Sequence, residues 1–343
     1  MKILGIEFAP LYIPLSQRLQ TLVVGFVYAF LFTGPILSWL IVLCLTLFPI
    51  NWFLLFAYLI WIWVFDKKAC ERGGRRVKCV RGCTIWKALK EYYPVDIKKD
   101  SEEIKLDPKR NYLFCSFPHG ILCAGIFTAF GTRTGGFHKL FPKHTPHILT
   151  LKPFFLLPLF RDFLLSMGLC AASAKSINYL MSKPGGGNAA LLVVGGAAEV
   201  FYSKPGQYNL VLKNRKGFVR LALKNGSPLV PTFSFGETDI YDQISSSEGS
   251  LLRTFQEWIK KIVGFPPIMI LGRGFFQYSF GLLPHRKPIN VIVGKPIDVE
   301  RVENPSQEQI DALHAAFIKQ LIKLFDKNKH KYLEDAETNL VIH

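Results

Sequence analysis

Acidic residues are in short supply: 25 Asp and Glu stand against 42 Lys and Arg, a net charge of +17 over 343 residues. Such an excess needs an anionic partner. Nucleic acid, acidic lipid headgroups and phosphorylated cofactors all qualify, so charge alone does not choose among them. From Thr21 to Phe65 charge is missing altogether, over 45 residues. As helix that run would extend roughly 65 Å against a hydrocarbon core of about 30 Å, which admits two crossings and excludes one. Residues 1–20 lack the compact apolar core and small-residue cleavage site of a signal peptide, so removal of a leader is not expected. Seven scattered cysteines do not form a disulfide framework, which places the catalytic part on the reducing side. Cys79 and Cys83 lack a second pair, and His138, His144 and His147 lack an acidic partner or helical spacing, so no metal is expected. No serine has glycine at both flanking second positions, which excludes the nucleophile elbow of a serine hydrolase. The triple glycine 185–187 precedes a strand instead of linking strand to helix, so it is a turn and not a dinucleotide fingerprint.

What is present is apolar: 50% hydrophobic residues and 14% aromatics supply both a core and a membrane segment. The charge-free run reads as a hairpin, with Gly34-Pro35 and Pro49-Ile50-Asn51 as its two candidate breaks and Trp52, Trp61 and Trp63 as interfacial anchors. A hydrophobic hairpin buried in a soluble core is the alternative, opposed by the absence of any polar face. Lys2 and Arg18 lie before the run and Lys67, Lys68, Arg72, Arg75, Arg76, Lys78 and Arg81 after it, so both ends are expected in the cytosol. Residues 1–20 then form a cytosolic N-terminus, 21–65 the transmembrane hairpin and 66–110 a basic segment against the headgroups.

The catalytic part is read as 111–300, followed by a C-terminal helix and tail over 301–343 that opens with the capping box Ser306 to Gln309. Tyr112–Phe117 reads as a buried strand stopped by Pro118, with His119 on a turn whose Gly120 allows close backbone approach and a helix from Ile121 onward. An imidazole at a strand end beside helix N–H groups is a usual address for chemistry, although a polar turn residue without a task looks the same. Residues 189–194 make a second strand ending in Gly195-Gly196-Ala197-Ala198-Glu199, so His119 and Glu199 share an edge if both strands lie in one sheet. Tyr208–Leu212, Leu229–Phe235 and Ile289–Val293 are further strands, the second ending at Gly236-Glu237. Residues 131–146 read as loop, and 147–170 as the wall of an apolar pocket with Arg161 as its cation. Lys213, Arg215, Lys216 and Arg220 form the densest cation group in this half, either a solvated face or a phosphate site.

Acyl transfer from a thioester fits these parts, because the thiolate leaves readily and one histidine, oriented by a carboxylate, can deprotonate an attacking hydroxyl. Backbone N–H groups near Gly120 would steady the oxyanion. The stretches Gly73-Gly-Arg-Arg76, Pro118-His-Gly120, Phe160-Arg-Asp162, Gly185-Gly-Gly-Asn188, Val194-Gly-Gly-Ala197 with Glu199, and Arg215-Lys-Gly-Phe-Val-Arg220 appear in that order. Pro231-Thr-Phe-Ser-Phe-Gly-Glu237, Gly272-Arg-Gly274 and Tyr278-Ser-Phe-Gly281 follow. With this set behind a hairpin, the chain resembles the type 2 diacylglycerol acyltransferase family over its whole length. It looks closest to the monoacylglycerol branch, through Phe8-Ala-Pro10 and Gln277-Tyr-Ser-Phe-Gly281. The resemblance implies an α/β fold, a membrane-anchored glycerolipid-acyltransferase-like domain with a central sheet behind a transmembrane helical hairpin. It implies His119 as catalytic base; from the residues themselves, Glu199 is the candidate orienting carboxylate and Arg161, Arg215, Lys216 and Arg220 are the candidate acyl-CoA contacts. No bound cofactor is implied; fatty acyl-CoA is a co-substrate, and the partners are mono- and diacylglycerol and membrane lipid, not nucleic acid, with room for a homo-oligomer. The implied location is the endoplasmic reticulum membrane, both termini cytosolic, with passage to lipid droplets. One departure is Phe117, where animal members usually carry a first histidine. It leaves wax alcohol or retinol acylation, or an inactive lipid-binding or droplet protein, as alternatives.

Overall fold

The structure, a computed structural model, describes residues 2–10, 12–244, 246–247 and 249–343. Helix α1 (Leu15–Thr46) runs through Gly34-Pro35, the first expected break, and the chain turns at Pro49–Asn51 instead. Gly34 answers to packing: a Cβ there would stand 3.1 Å from the Phe160 ring. α2 (Trp52–Ile60) continues into the wider helical turn Trp61–Phe65 and returns beside α1, with the Trp39 and Trp63 rings 6.4 Å apart. The two helical segments Leu15–Thr46 and Pro49–Glu71 are long and apolar enough to cross a membrane. α3 (Thr84–Tyr92) packs along α1, where Gln20 donates a hydrogen bond to Glu91.

In chain order follow β1 (Val95–Lys99), β2 (Tyr112–Phe117), β3 (Thr145–Thr150), α4 (Phe160–Ser166), β4 (Cys170–Ala171) and β5 (Asn188–Val193). Then come β6 (Tyr208–Leu210), α5 (Gly217–Asn225), β7 (Leu229–Phe235), α6 (Leu251–Val263), β8 (Ile289–Val293), α7 (Gln307–Tyr332) and β9 (Leu340–Ile342). Seven of these strands make one mixed sheet in the order β1-β8-β7-β2-β5-β3-β4. β7, β2, β5, β3 and β4 are mutually parallel, and β8 is antiparallel to β7 and parallel to β1. β6 pairs in parallel with β9 apart from this sheet.

Every residue of β2 and β7 is buried, because apolar layers cover both sheet faces. On one face Tyr112 and Phe114 meet Phe130, Phe137 and the Tyr28 side of α1; on the other Leu113, Cys115 and Phe117 meet Phe218 of α5 and Phe317 and Leu321 of α7. Of the five strands read from sequence in 111–300, four are in this sheet and the fifth, at Tyr208, pairs with β9 outside it. Two others correct the reading. β1 lies inside the basic segment 66–110, and β3 lies inside stretches read as loop and pocket wall. The sheet therefore starts before residue 111, and the stripe Ile310, Phe317, Leu321 and Leu324 of α7 packs into its second core, as expected of the capped C-terminal helix.

Candidate active site

β5, β2 and β7 finish level, since Ser116 is paired with Val193 on one side and Thr232 on the other. Their outgoing turns carry Glu199, His119 and Glu237 to one edge. Gly120 takes the left-handed conformation at φ +58°, and a Cβ there would come within 2.8 Å of the Glu237 main chain and side chain. The turn is closed by Cys123, whose N–H and Sγ donate to the His119 carbonyl at 3.2 and 3.1 Å. Helix begins at Ala124, three residues later than the sequence reading placed it. Glu237 takes up its first N–H groups: both carboxylate oxygens accept from Gly125, at 3.0 and 3.3 Å, and Ser234 donates to Oε2 at 3.0 Å. A carboxylate at a helix N-terminus is well placed electrostatically, and it withdraws those N–H groups from any oxyanion. Sequence reading noted Glu237 as a strand end and gave it no task; its signal was the repeat of the strand-glycine-glutamate pattern that singled out Glu199.

Glu199 is also placed differently from expectation. Its Oε2 accepts the backbone N–H of His119 at 2.6 Å and its Oε1 that of Val211 at 2.9 Å. It therefore holds the His119 main chain and joins it to the segment after β6, without touching the imidazole. The ring Nδ1 lies 3.2 Å from the Gly120 carbonyl oxygen. A carbonyl only accepts, so Nδ1 carries the hydrogen and Nε2 presents a lone pair. Burial pushes the His119 pKa down, which keeps the ring neutral near pH 7. Burial also raises both carboxyls to about 7, against the N–H groups of Val211 and His119 and the charge of Arg215 at Glu199, and against Ser234 and Gly125 at Glu237.

Arg161 is not available to a substrate. It is 1% exposed and bonded to Asp66 at 2.7 Å, to Asp162 at 3.4 Å and to the carbonyls of Phe155 and Asp66. Arg75 bridges the same two carboxylates, so this cluster ties the exit of α2 to α4. Of Arg215, Lys216 and Arg220, Lys216 pairs with Asp311 of α7 at 2.7 Å, while Arg215 and Arg220 are exposed. Phe117 is fully buried in the second core, 6.2 Å from the Phe317 ring centroid, which makes it a packing residue beside the site.

The sheet edge thus presents a neutral imidazole with no serine or cysteine bonded to its ring among the described residues. The profile of the family described as Diacylglycerol acyltransferase matches residues 44–343, and the chain belongs to that family of acyltransferases. It is 42% identical over 339 residues to the human protein named 2-acylglycerol O-acyltransferase 1, covering 98% of this chain and 99% of the relative. The zebrafish (Danio rerio) protein named Diacylglycerol O-acyltransferase 2 is 44% identical over 85% of this chain and 80% of its own. The human Acyl-CoA wax alcohol acyltransferase 2 is 43% identical over 84% and 86%. Among solved structures, the 1-acyl-sn-glycerophosphate acyltransferase of Thermotoga maritima covers 90% of this chain and 96% of its own at 12% identity, with a TM-score of 0.39, too distant to carry an argument.

Proposed function

We propose that the protein transfers a fatty acyl group from acyl-CoA to the hydroxyl of 2-monoacylglycerol and of diacylglycerol, with His119 as the general base. The observation that carries the mechanism is the His119 ring, neutral and with Nδ1 engaged by the Gly120 carbonyl, which leaves Nε2 to act. Nε2 takes the acceptor hydroxyl proton as that oxygen attacks the thioester carbonyl carbon. The C–O bond forms, the C–S bond breaks, and the departing thiolate recovers the proton from the imidazolium. N–H groups of the turn at Gly120 are the proposed oxyanion donors, since those at Gly125 serve Glu237. Exposed Arg215 and Arg220 are the proposed contacts for the coenzyme A phosphates, with Lys216 tied to Asp311. The apolar hairpin is proposed to cross the endoplasmic reticulum membrane with both termini cytosolic, beside the bilayer that holds the acceptors.

Full-length similarity to a 2-acylglycerol O-acyltransferase supports monoacylglycerol as first acceptor, and the 43%-identical wax alcohol relative supports a long-chain alcohol as the second reading. Labelled acyl-CoA given to membranes containing the protein, with monoacylglycerol, diacylglycerol, long-chain alcohol and retinol in parallel, decides between them. His119→Ala should lower kcat about 10²-fold or more with abundance unchanged. Near-normal turnover in that variant would refute the mechanism, and absence of transfer to every acceptor by the wild type would refute the function.

A further inference from the structure

Helix α6 is amphipathic in the inverted sense. Its polar residues Arg253 and Gln256 are buried at 7% and 1% exposure, whereas Leu251, Phe255, Trp258 and Ile262 are 90, 54, 58 and 63% exposed. The inward polar face is fully engaged: the Arg253 guanidinium lies 3.5 Å from the Phe201 ring centroid, and Gln256 accepts from Ser246 and donates to the Pro267 carbonyl. The outward stripe has spacing i, i+4, i+7, i+11, one face of a helix, and none of the described residues covers it. A helix packed this way in water would leave its apolar face against solvent and so implies an apolar covering.

The structure indicates what lies beside that face. Phe265, directly after the helix, packs against Phe154, which meets Phe160, which meets Phe30 of α1. Further along, Phe275 packs over Gly25 of α1, so closely that a Cβ there would stand 2.6 Å from its ring, while Phe276 and Leu282 are 73 and 67% exposed. The exposed apolar surface of α6 and residues 265–282 is thus continuous with that of the hairpin. Exposed Lys261 accompanies it on the helix and suits anionic headgroups, whereas Lys260 lies over the Phe201 ring on the inward face.

We infer that α6, with the loop 265–282, lies in the plane of the membrane as a second site of attachment, its Leu251-Phe255-Trp258-Ile262 face in the acyl-chain boundary and its Arg253 face on the turn that carries Glu199. The occupant of this face is lipid. The inference rests on the reading that the hairpin is in a bilayer.

The test uses the full chain reconstituted in vesicles, with Cys44 and Cys79 changed to Ser and a single fluorophore on Trp258→Cys or, as the control in the hairpin, on Ile36→Cys. Lipid-borne nitroxides should quench both labels, and aqueous iodide should quench neither. If iodide reaches the label at 258 while the label at 36 is lipid-quenched, this inference falls and the hairpin reading stands. If neither label is in lipid, the membrane reading itself falls. A label at 258 shielded from both quenchers and cross-linking to a second copy would assign the face to self-association and overturn the lipid assignment. Phe255→Glu combined with Trp258→Glu should raise the apparent KM for vesicle-borne monoacylglycerol about threefold or more with that for acyl-CoA unchanged. Equal rises in both would count against it.

Discussion

Glu199 joins two buried N–H groups, and that arrangement makes glutamine a poor substitute. The amide oxygen of Glu199→Gln satisfies one of His119 and Val211, while its NH2 faces the other donor. A buried donor left without a partner costs about 1–3 kcal/mol, so kcat should fall on the order of tenfold and thermal stability should drop. The sign of its pH dependence follows from a folded pKa raised by burial from 4.5 to about 7. That shift favours the protonated carboxyl, so its stabilising contribution is full below 4.5 and is lost as pH rises through about 7. The stability gap between wild type and Glu199→Gln, measured by thermal unfolding in one detergent, should therefore narrow from pH 5 to 8; a gap that widens would contradict the buried carboxyl. His119 shifts the other way, and the acid limb of kcat/KM should lie below the ordinary histidine value of about 6.5. Gly120→Ala meets both strain at φ +58° and a clash with Glu237 at 2.8 Å, so it should abolish activity while the second core, which Gly120 does not enter, keeps the chain folded. Recovery of wild-type turnover in Gly120→Ala would show that the turn is not required in this form.

Between elements, the cluster Asp66, Arg75, Arg161 and Asp162, with the Tyr58 hydroxyl donating to Asp162, fastens the end of the hairpin to α4. Asp66 is the first charge after the apolar run, and its partner Arg161 stands 95 positions away. No local pattern in the sequence reveals such a pairing, which is why Arg161 looked like a spare cation in an apolar wall. β3 escaped notice for a related reason: Pro146 and His147 interrupt its apolar run, and tertiary burial rather than pattern makes it a strand. By contrast β2, β5, β7 and β8 are dominated by apolar and aromatic residues and bounded by glycine or proline, and that density placed them in spite of single polar residues such as Ser116 and Asn290. Removing Arg161 leaves Asp66 and Asp162 with a reduced set of partners in a half-closed environment, and breaking a buried pair in this manner costs about 3–5 kcal/mol. Arg161→Met should thus lower the yield of folded protein, with KM for acyl-CoA in the surviving fraction unchanged. A selective rise in that KM at normal abundance would restore the substrate-binding assignment.

For the molecule as a whole, the charge-free run and its basic flanks conveyed the hairpin, and the strand-end pattern conveyed His119 and Glu199, but the orientation of the Glu199 carboxylate onto main chain could not be read from residue types. The position of the N-terminal segment was equally hidden. Glu7 accepts from the Tyr278 N–H at 2.7 Å and its own N–H reaches Ser279 at 2.8 Å, while the Ala9 N–H donates to Phe276 at 2.9 Å. The chain therefore enters α1 beside residues 276–279 and returns toward the sheet at Asp66, which supports the proposed topology with both ends of the hairpin on one side. An odd number of crossings would have to carry Glu7 away from Tyr278 across a hydrocarbon core about 30 Å thick, and these hydrogen bonds oppose it. Epitope tags at both termini should accordingly be digested together when intact microsomes are treated with protease, before detergent is added. Protection of one tag and loss of the other would require the N-terminal segment to be detached from residues 276–279, and Glu7→Pro, which removes the N–H given to Ser279, would then leave activity unchanged instead of lowering it.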